Sequence, residues 1–302
     1  MKTYLPKILV TGGQGQLSSA LKNHVAANQF NLKFYNHAEL DITQSATIEN
    51  RINEIKPDLI INNAAYTAVD KAENDKEHAE QINHIGAKNL AIICKQLGMP
   101  LLHLSTDYIF DGEKKSAYTE SDDPNPINFY GVTKLHGEQE ITDTLTDYII
   151  LRVSGIFSEY GQNFLKTMLR LGQEKKELRV VADQVTCPTA ANDIAGALLK
   201  IAATYHATQK IQWGTYHYCS ANPISWHEFA SRILSEASLY QSLTTTEIKA
   251  IPTSEYPTPA KRPMHSVLAC NKISDNFSIK QPSWEDAISL TIKRLYTADR
   301  KS

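Results

Sequence analysis

Ile8-Leu9-Val10-Thr11-Gly12-Gly13-Gln14-Gly15-Gln16-Leu17-Ser18 is the stretch on which the reading of this chain turns. Three aliphatic residues in a row form a short buried strand, and a helical pattern over 19–27 follows the glycines. Strand, glycine turn, helix is the context in which such glycines acquire chemistry. Lacking Cβ atoms, they let the backbone approach a pyrophosphate seated at the positive end of the helix. The spacing is G-x-x-G-x-x-S, with Ser18 standing where a third small residue keeps the helix close to the sheet. A glycine turn can also be a tight turn and nothing more. The rest of the chain has to carry the dinucleotide reading.

Outward from that stretch the alternation continues. Residues 32–35 read as a second strand, after which Thr43 is placed to cap a helix that runs through Ile55. Residues 57–61 form a third strand, a long helix spans 75–97 and closes at Gly98, and 101–104 and 148–153 are further buried strands. The pattern predicts an α/β fold, a Rossmann-type doubly wound parallel sheet. Beyond Arg152 the rhythm loosens into helices at 163–171, 193–203, 226–238 and 283–296, with strands at 178–182 and 216–219. We therefore expect an NAD(P)-binding Rossmann domain over 1–153, completed by a returning segment near 185–210, and a smaller, interleaved C-terminal α/β substrate lobe over 154–302. A cleft between the lobes would hold the substrate. The end of the second strand selects the cofactor in such folds, an acidic residue taking a ribose hydroxyl and a basic one a phosphate. Asn36-His37-Ala38-Glu39 is mixed, so NADPH or NADH is expected, with the lean to NADPH.

Chemistry concentrates in Asn128-Phe129-Tyr130-Gly131-Val132-Thr133-Lys134-Leu135-His136-Gly137-Glu138. Tyr130 and Lys134 lie four apart, one turn from each other on the same helix face. A nearby cation favours the phenolate, so Lys134 is expected to lower Tyr130 from its ordinary value of about 10 and make it a usable proton donor. That suits ketone reduction, where hydride reaches carbon and a proton must reach oxygen. The same spacing also arises when an aromatic faces a core and the lysine is solvated. Thr106, within Ser105-Thr106-Asp107-Tyr108 at the end of the fourth strand, could donate to a substrate carbonyl. The loop 111–128, with Pro124 and Pro126, is expected over the cleft mouth.

Composition narrows the class. At 302 residues the chain can bury a large core, and 42% hydrophobic with 21% charged residues is ordinary globular protein. A net charge of -2 offers no footprint for nucleic acid. No apolar run approaches the roughly 18 residues needed to span a bilayer, and Met1 to Lys7 leads into a strand rather than a signal-peptide core. A cytoplasmic protein with a small-molecule substrate, and with neither nucleic acid nor membrane as partner, is expected. Cys94, Cys187, Cys219 and Cys270 match no C-x-x-C spacing and are read as buried free thiols, so no metal site is expected.

Taken together, these stretches resemble the extended short-chain dehydrogenase/reductase superfamily and, within it, the dTDP-4-dehydrorhamnose reductase family. The resemblance is carried, in the family's order, by Asn63-Ala64-Ala65-Tyr66-Thr67-Ala68-Val69-Asp70-Lys71-Ala72-Glu73, then by Ser105 to Gly112, and by Pro126 through Tyr130-Gly131 to Lys134. Asp183-Gln184 with Pro188-Thr189, and Arg262-Pro263 with Ser266 and Leu268, complete it. It implies NAD(P)H-dependent reduction of the C4 keto group of a dTDP-4-keto-6-deoxyhexose, such as dTDP-4-dehydro-L-rhamnose to dTDP-L-rhamnose. It further implies Tyr130 as acid, Lys134 as the residue that holds the cofactor ribose, Thr106 as the group orienting the carbonyl, and Asn83 as the asparagine of a proton relay. The cofactor site would include Gly12, Gly15, Gln16, Leu17, Asp41, Ile42, Ala64, Ala65 and Thr67 besides Tyr130 and Lys134. Thr106, Asp107, Val69 and Arg262 would face the nucleotide sugar, a guanidinium being a natural partner for a diphosphate.

Two departures stand out. Family members usually carry Thr-Ser-Trp after the Leu-Arg of the catalytic strand, whereas Leu151-Arg152 is followed here by Val153-Ser154-Gly155, so the sugar itself stays open. Relatives that dimerise through a bridging metal use glutamates where this chain has Ala20 and Asn192, so a homodimer, if formed, would lack that ion. Two alternatives remain: another nucleotide-sugar ketoreductase, epimerase or dehydratase, or a cofactor-binding regulatory subunit without catalysis. Thr106-Asp107-Tyr108 lacks the Asp-Glu that dehydratases often place after the threonine. An intact Thr106/Tyr130/Lys134 set speaks against a silent subunit.

Overall fold

The structure, a computed structural model, describes residues 5–298; Met1 to Tyr4 of the opening stretch lie outside the described residues. Ile8 and Val10 bury themselves on one side of the first strand and Leu9 on the other, as the two-residue period of a strand requires. That strand is β1 (Lys7–Thr11), followed by α1 (Gln16–Asn23), β2 (Asn31–Phe34), α2 (Ser45–Ile55) and β3 (Leu59–Asn62). Next come α3 (Val69–Ala72), α4 (Lys76–Glu80), α5 (Gly86–Leu97), β4 (Leu101–Thr106), α6 (Phe129–Thr144) and β5 (Tyr148–Val153). The second half supplies β6 (Ile156–Phe157), α7 (Phe164–Glu174), β7 (Glu177–Val181), β8 (Val185–Thr186), β9 (Thr189–Ala190) and α8 (Ala191–Thr208). It ends with β10 (Gly214–Tyr218), β11 (Ile224–Ser225), α9 (Trp226–Ala237), β12 (Glu247–Ile251), α10 (Asn271–Phe277) and α11 (Trp284–Ala298).

Six strands form a wholly parallel sheet in the order β10-β5-β4-β3-β1-β2. The doubly wound α/β expectation is met. Ile48, Ile52, Leu90, Cys94 and Ile141 from α2, α5 and α6 cover one face, over Leu9, Ile60, Leu101 and Ile150. Leu17, Leu21, Ile194, Leu198 and Ile273 from α1, α8 and α10 cover the other, over Ile8, Val10, Ile61 and Leu102. The winding reverses between β1 and β3, so the loops leaving those two strands diverge and open a crevice at their carboxyl ends. A third core of Phe157, Leu165, Val180, Phe229, Ile233, Trp284 and Ile288 joins α7, α9 and α11 around the parallel pair β7 and β12. Among the described residues no helix is long and apolar enough to cross a membrane.

Three local expectations are corrected. α1 starts three residues early because extended Gly15 already offers its carbonyl to Ser19 N (3.0 Å), and it stops at Asn23, where a separate 3-10 turn begins at Val25. Thr43 does not cap α2: its N–H and hydroxyl both donate to Asp41 Oδ1 (2.9 and 2.8 Å), and Gln44 is the residue preceding the helix. The helix expected over 75–97 runs without a break from Lys76 to Leu97, but it is not α-helical throughout. It widens into a π turn at Gln81–Ile85, where buried Asn83 accepts from Tyr66 N (2.8 Å) and donates to Tyr66 O (3.1 Å). The helix does close at left-handed Gly98, as read from the sequence.

Candidate active site

The turn after β1 and the strand end after β3 face each other across the crevice. Gly12 has φ 65°, and a Cβ there would lie 2.8 Å from Ala64 N and 2.9 Å from Asn63 O, so a side chain is excluded both by conformation and by room. Gly15 donates to Gly12 O (2.9 Å) and leads directly into α1. A cavity of about 550 Å³ opens here, and Gly12, Gly15, Gln16, Leu17, Asp41, Ile42, Ala64, Ala65 and Thr67 all line it. Asn36 and His37 line it too, whereas Glu39 folds back to accept from Asn36 N (2.9 Å). Asn63 Oδ1 is buried without a hydrogen-bond partner among the described residues.

Gln16, Asn63, Ala65, Thr67, Leu104 and Ile156 are shared with a second cavity of about 450 Å³, whose wall carries Tyr130, Lys134, Thr106, Asp107, Val69 and Arg262. Tyr130 and Lys134 reach it because Asn128 caps α6, its Oδ1 accepting from Gly131 N (2.8 Å), and because Gly131 lets the helix close on the chain after β4. The expected electrostatics are overturned. Burial pushes the Tyr130 phenol up to about 12, although the neighbouring Thr106 hydroxyl draws it the other way. Lys134 is not the partner of Tyr130 in this state: its Nζ donates to Leu104 O (2.7 Å) and lies 3.2 Å from His103 Nε2. Burial lowers Lys134 to about 8, and His103, fully enclosed beneath it, is held well below the usual histidine range. Behind the helix, buried Glu138 receives Ser105 and pairs with Arg152 (2.6 Å).

Thr106 Oγ1 donates to Asp107 Oδ1 (3.1 Å) and accepts from Tyr108 N (3.1 Å). Asp107 also accepts from Ser154 Oγ (2.8 Å), and burial raises its carboxyl above the ordinary range. Asn83 is not on this wall. Its amide is spent on Tyr66 and on Thr133 Oγ1 (3.0 Å), which in turn donates to Tyr130 O (2.8 Å), so it links the loop after β3 to α6 from behind.

A third cavity of about 330 Å³ shares Tyr108, Phe164, Trp226 and Arg262 with the second, making one continuous trough from the glycine turn to the C-terminal core. Arg262 does not project freely: it holds Asp70 in a two-point pair (3.0 and 2.8 Å) and donates to Thr258 Oγ1 (2.6 Å), which keeps the Asp70 carboxyl below the ordinary range. None of residues 111–128 lines these three cavities. That loop, expected over the mouth, is instead tied beside the 261–269 segment by Tyr118 N to Val267 O (2.8 Å) and Ala269 N to Tyr118 O (2.7 Å).

Sequence reasoning missed Tyr108, Phe164 and Trp226. Trp226 opens α9 directly after Ser225, which forms a capping box with Glu228, and its ring lies 4.7 Å from that of Phe164. The Ser-x-x-Glu signal marks the helix start, but nothing local says that its first residue faces the cleft. Gly155 lines the same cavity at φ 54°, so the aromatic wall comes from another part of the chain.

Comparison with known proteins agrees over almost the full length. The family described as RmlD substrate binding domain matches residues 6–297. A dTDP-4-dehydrorhamnose reductase of Sinorhizobium fredii is 40% identical over 284 residues, 93% of this chain and 95% of its own length. That of Escherichia coli K12 is 34% identical over 299 residues, covering 96% and 98%. The crystal structure of dTDP-4-dehydrorhamnose reductase from Bacillus anthracis, solved in complex with NADP, superposes with a TM-score of 0.89 at 35% identity over 96% of this chain and 100% of that one.

Proposed function

The chain belongs to the dTDP-4-dehydrorhamnose reductase family, and we infer that it catalyses NAD(P)H-dependent reduction of the C4 ketone of a dTDP-4-keto-6-deoxyhexose, dTDP-4-dehydro-L-rhamnose to dTDP-L-rhamnose. The observation that carries this reading is the placement of half-buried Tyr130 and buried Lys134 on one cavity wall, between the glycine-lined trough and the aromatic, Arg262-bearing pocket. A nicotinamide dinucleotide fits the trough on three counts. A Cβ would fill the cradle at Gly12, the amino end of α1 points its free N–H groups at the turn, and Asn63 Oδ1 is a buried acceptor still to be satisfied. Glu39 turns into its own loop while Asn36 and His37 line the trough after β2, which favours NADPH, and the Asp41 side chain on the same wall admits NADH.

When bound, the nicotinamide supplies the hydride that becomes the new C–H bond. Everything else falls to the chain. Tyr130, protonated throughout the neutral range, is assigned the proton that goes to the ketone oxygen as the C=O bond becomes an alcohol. Lys134 is assigned the cofactor ribose and the electrostatic support of the phenolate left behind, a task for which it must leave Leu104 O or share it. Thr106, held by Tyr108 N, lines the same cavity as Tyr130 and is assigned the ketone oxygen, for which its hydroxyl proton must turn away from Asp107 Oδ1. Asn83 acts through Thr133 as a positioning residue. Arg262 is oriented by Asp70 toward the cleft and is assigned the diphosphate, while Val69 and Asp107 complete the sugar pocket. Residues 1–153 with the returning α8 would hold the cofactor, and the remainder of 154–302 mainly the sugar nucleotide. Four free, buried thiols suit a cytoplasmic setting. Any dimer would be joined without a carboxylate-bridged ion at Ala20 and Asn192.

The test is loss of absorbance at 340 nm when purified protein and NADPH meet dTDP-4-dehydro-L-rhamnose made in the cuvette by the preceding enzymes. Oxidation with dTDP-L-rhamnose as product is expected. Tight cofactor binding with no turnover would overturn the reading and favour the regulatory alternative; turnover only with another keto sugar would correct the substrate.

A further inference from the structure

Outside the cleft, the π turn and the catalytic helix meet in a cluster with no part in the reaction. Glu80 closes α4, His84 follows one turn later, and His136 comes from α6. One ligand atom from each lies within 4.8 Å of the other two. The carboxylate is central: its Oε2 is 2.9 Å from His84 Nδ1 and its Oε1 is 2.9 Å from His136 Nδ1, with the imidazole centroids 5.2 Å apart. We propose that Glu80, His84 and His136 form a three-ligand site for a first-row divalent cation of the zinc class, which fastens the π turn to the catalytic helix.

Ligands around a tetrahedral zinc at about 2.0–2.1 Å stand about 3.3 Å from one another; each imidazole is already near that distance from its own carboxylate oxygen, and the widest spacing in the set, within 4.8 Å, has to close by up to about 1.5 Å. Two imidazoles and a carboxylate are the donor set that zinc, nickel or copper takes in preference to magnesium or calcium. A further feature separates this cluster from an ordinary ion pair. His84 Nε2, the nitrogen facing away from Glu80, lies 3.2 Å from Glu140 Oε1, which Lys88 Nζ also holds at 3.0 Å. A metal-bound histidine needs such a carboxylate on its outer nitrogen to fix ring and tautomer. Loading the ion takes the Nδ1 proton from each ring, to its own Nε2 or to solvent, and the Nε2–H of His84 then donates to Glu140. The side chains of Glu80, His84 and His136 are 27%, 25% and 39% exposed, so an ion can enter and water can take the fourth position.

Calorimetric titration of ZnCl2 into the full chain, free of any affinity tag, tests this. One equivalent should bind and raise the melting temperature, and X-ray absorption at the zinc edge should show two imidazoles with oxygen ligands. His84→Asn and His136→Asn should each abolish stoichiometric binding, and Glu140→Gln should weaken it about 10- to 100-fold. Absence of stoichiometric binding would overturn the proposal. So would affinity that survives the double histidine change, or sulfur scatterers pointing to Cys187, Cys219 and Cys270.

Discussion

Gly137→Ala sets two known effects against each other. In an ordinary helix interior the change should stabilise by about 1 kcal/mol, because alanine has the better propensity. Gly137, however, faces the π turn, and a Cβ there would sit 2.2 Å from the backbone oxygen of Asn83 and 3.2 Å from Ala87 Cβ. The first distance is at least about 1 Å inside ordinary contact. Neither side yields easily, since Asn83 is tied to Tyr66 and Thr133 and α6 is tied to the sheet through Glu138 and Arg152. Overpacking a rigid contact costs about 3 kcal/mol, leaving a net loss of about 2 kcal/mol after the propensity gain. With an unfolding entropy of about 0.6 kcal/mol per degree for a chain this size, the melting temperature should fall by about 3 °C. The same displacement moves Lys134, one turn away on α6, and a shift of about 1 Å in catalytic geometry can cost up to about 100-fold, so kcat/KM should fall about 10- to 100-fold. Differential scanning fluorimetry and the 340 nm assay read both. A melting temperature that rises, with turnover intact, would mean that propensity wins and that α6 does not rest on the Asn83 carbonyl.

Tyr130→Phe should cut kcat about 10²- to 10⁴-fold with little change in NADPH affinity measured by fluorescence quenching; unchanged kcat would remove the phenol from the reaction. Because the fold lowers Lys134 from 10.5 to about 8, the charged form is penalised in the folded apoprotein below that value, and stability should rise as pH climbs from about 8 toward 10.5. Urea midpoints across that window should show the slope, and Lys134→Met should flatten it. The same titration should make kcat/KM decline above about pH 8, and a rate still climbing at pH 9 would contradict a cationic role for Lys134. Glu138→Gln, which strands Arg152 in a site where that residue is 5% exposed, should destabilise by about 3–5 kcal/mol, read as a drop of about 5–8 °C in melting temperature. Trp226→Ala should raise KM for the sugar nucleotide about 10-fold and leave NADPH affinity alone, whereas an equal loss for both ligands would place the ring's role in holding the lobes together.

What could be read from residues alone follows the range of the force involved. The glycine turn, the buried strands and the Gly98 closure depend on neighbours a few residues away, and the structure has them where the sequence puts them. The π turn does not. Its extra width follows from Asn83 gripping Tyr66, 17 residues earlier, and from Gly137 packing 54 positions later, and no periodicity inside 75–97 records either event. Trp226 is the same case at the other end of the trough: its capping box is local, but the side of the cleft it faces is fixed by the packing of α7 and α9.

The Tyr130/Lys134 pair shows how far a spacing can be pressed. Four residues on a helix fix a shared face, and both side chains do reach one cavity. The spacing does not fix where a flexible four-carbon stem delivers its charge. In this state the β4 carbonyl of Leu104 and the enclosed His103 take the ammonium, so burial rather than the lysine governs the phenol, and the sign of the expected shift reverses. The Glu80 cluster inverts the lesson. Glu80 with His84 and His136 with Glu140 are each spaced by four, an unremarkable pattern on a solvated helix face. Only the contact between the two helices, 56 positions apart in sequence, turns two weak pairs into one candidate ligand set. A search for metal spacing along the chain passes over it for the same reason that it passes over the aromatic wall of the cleft: the information lies in tertiary packing, to which neither helix by itself is committed.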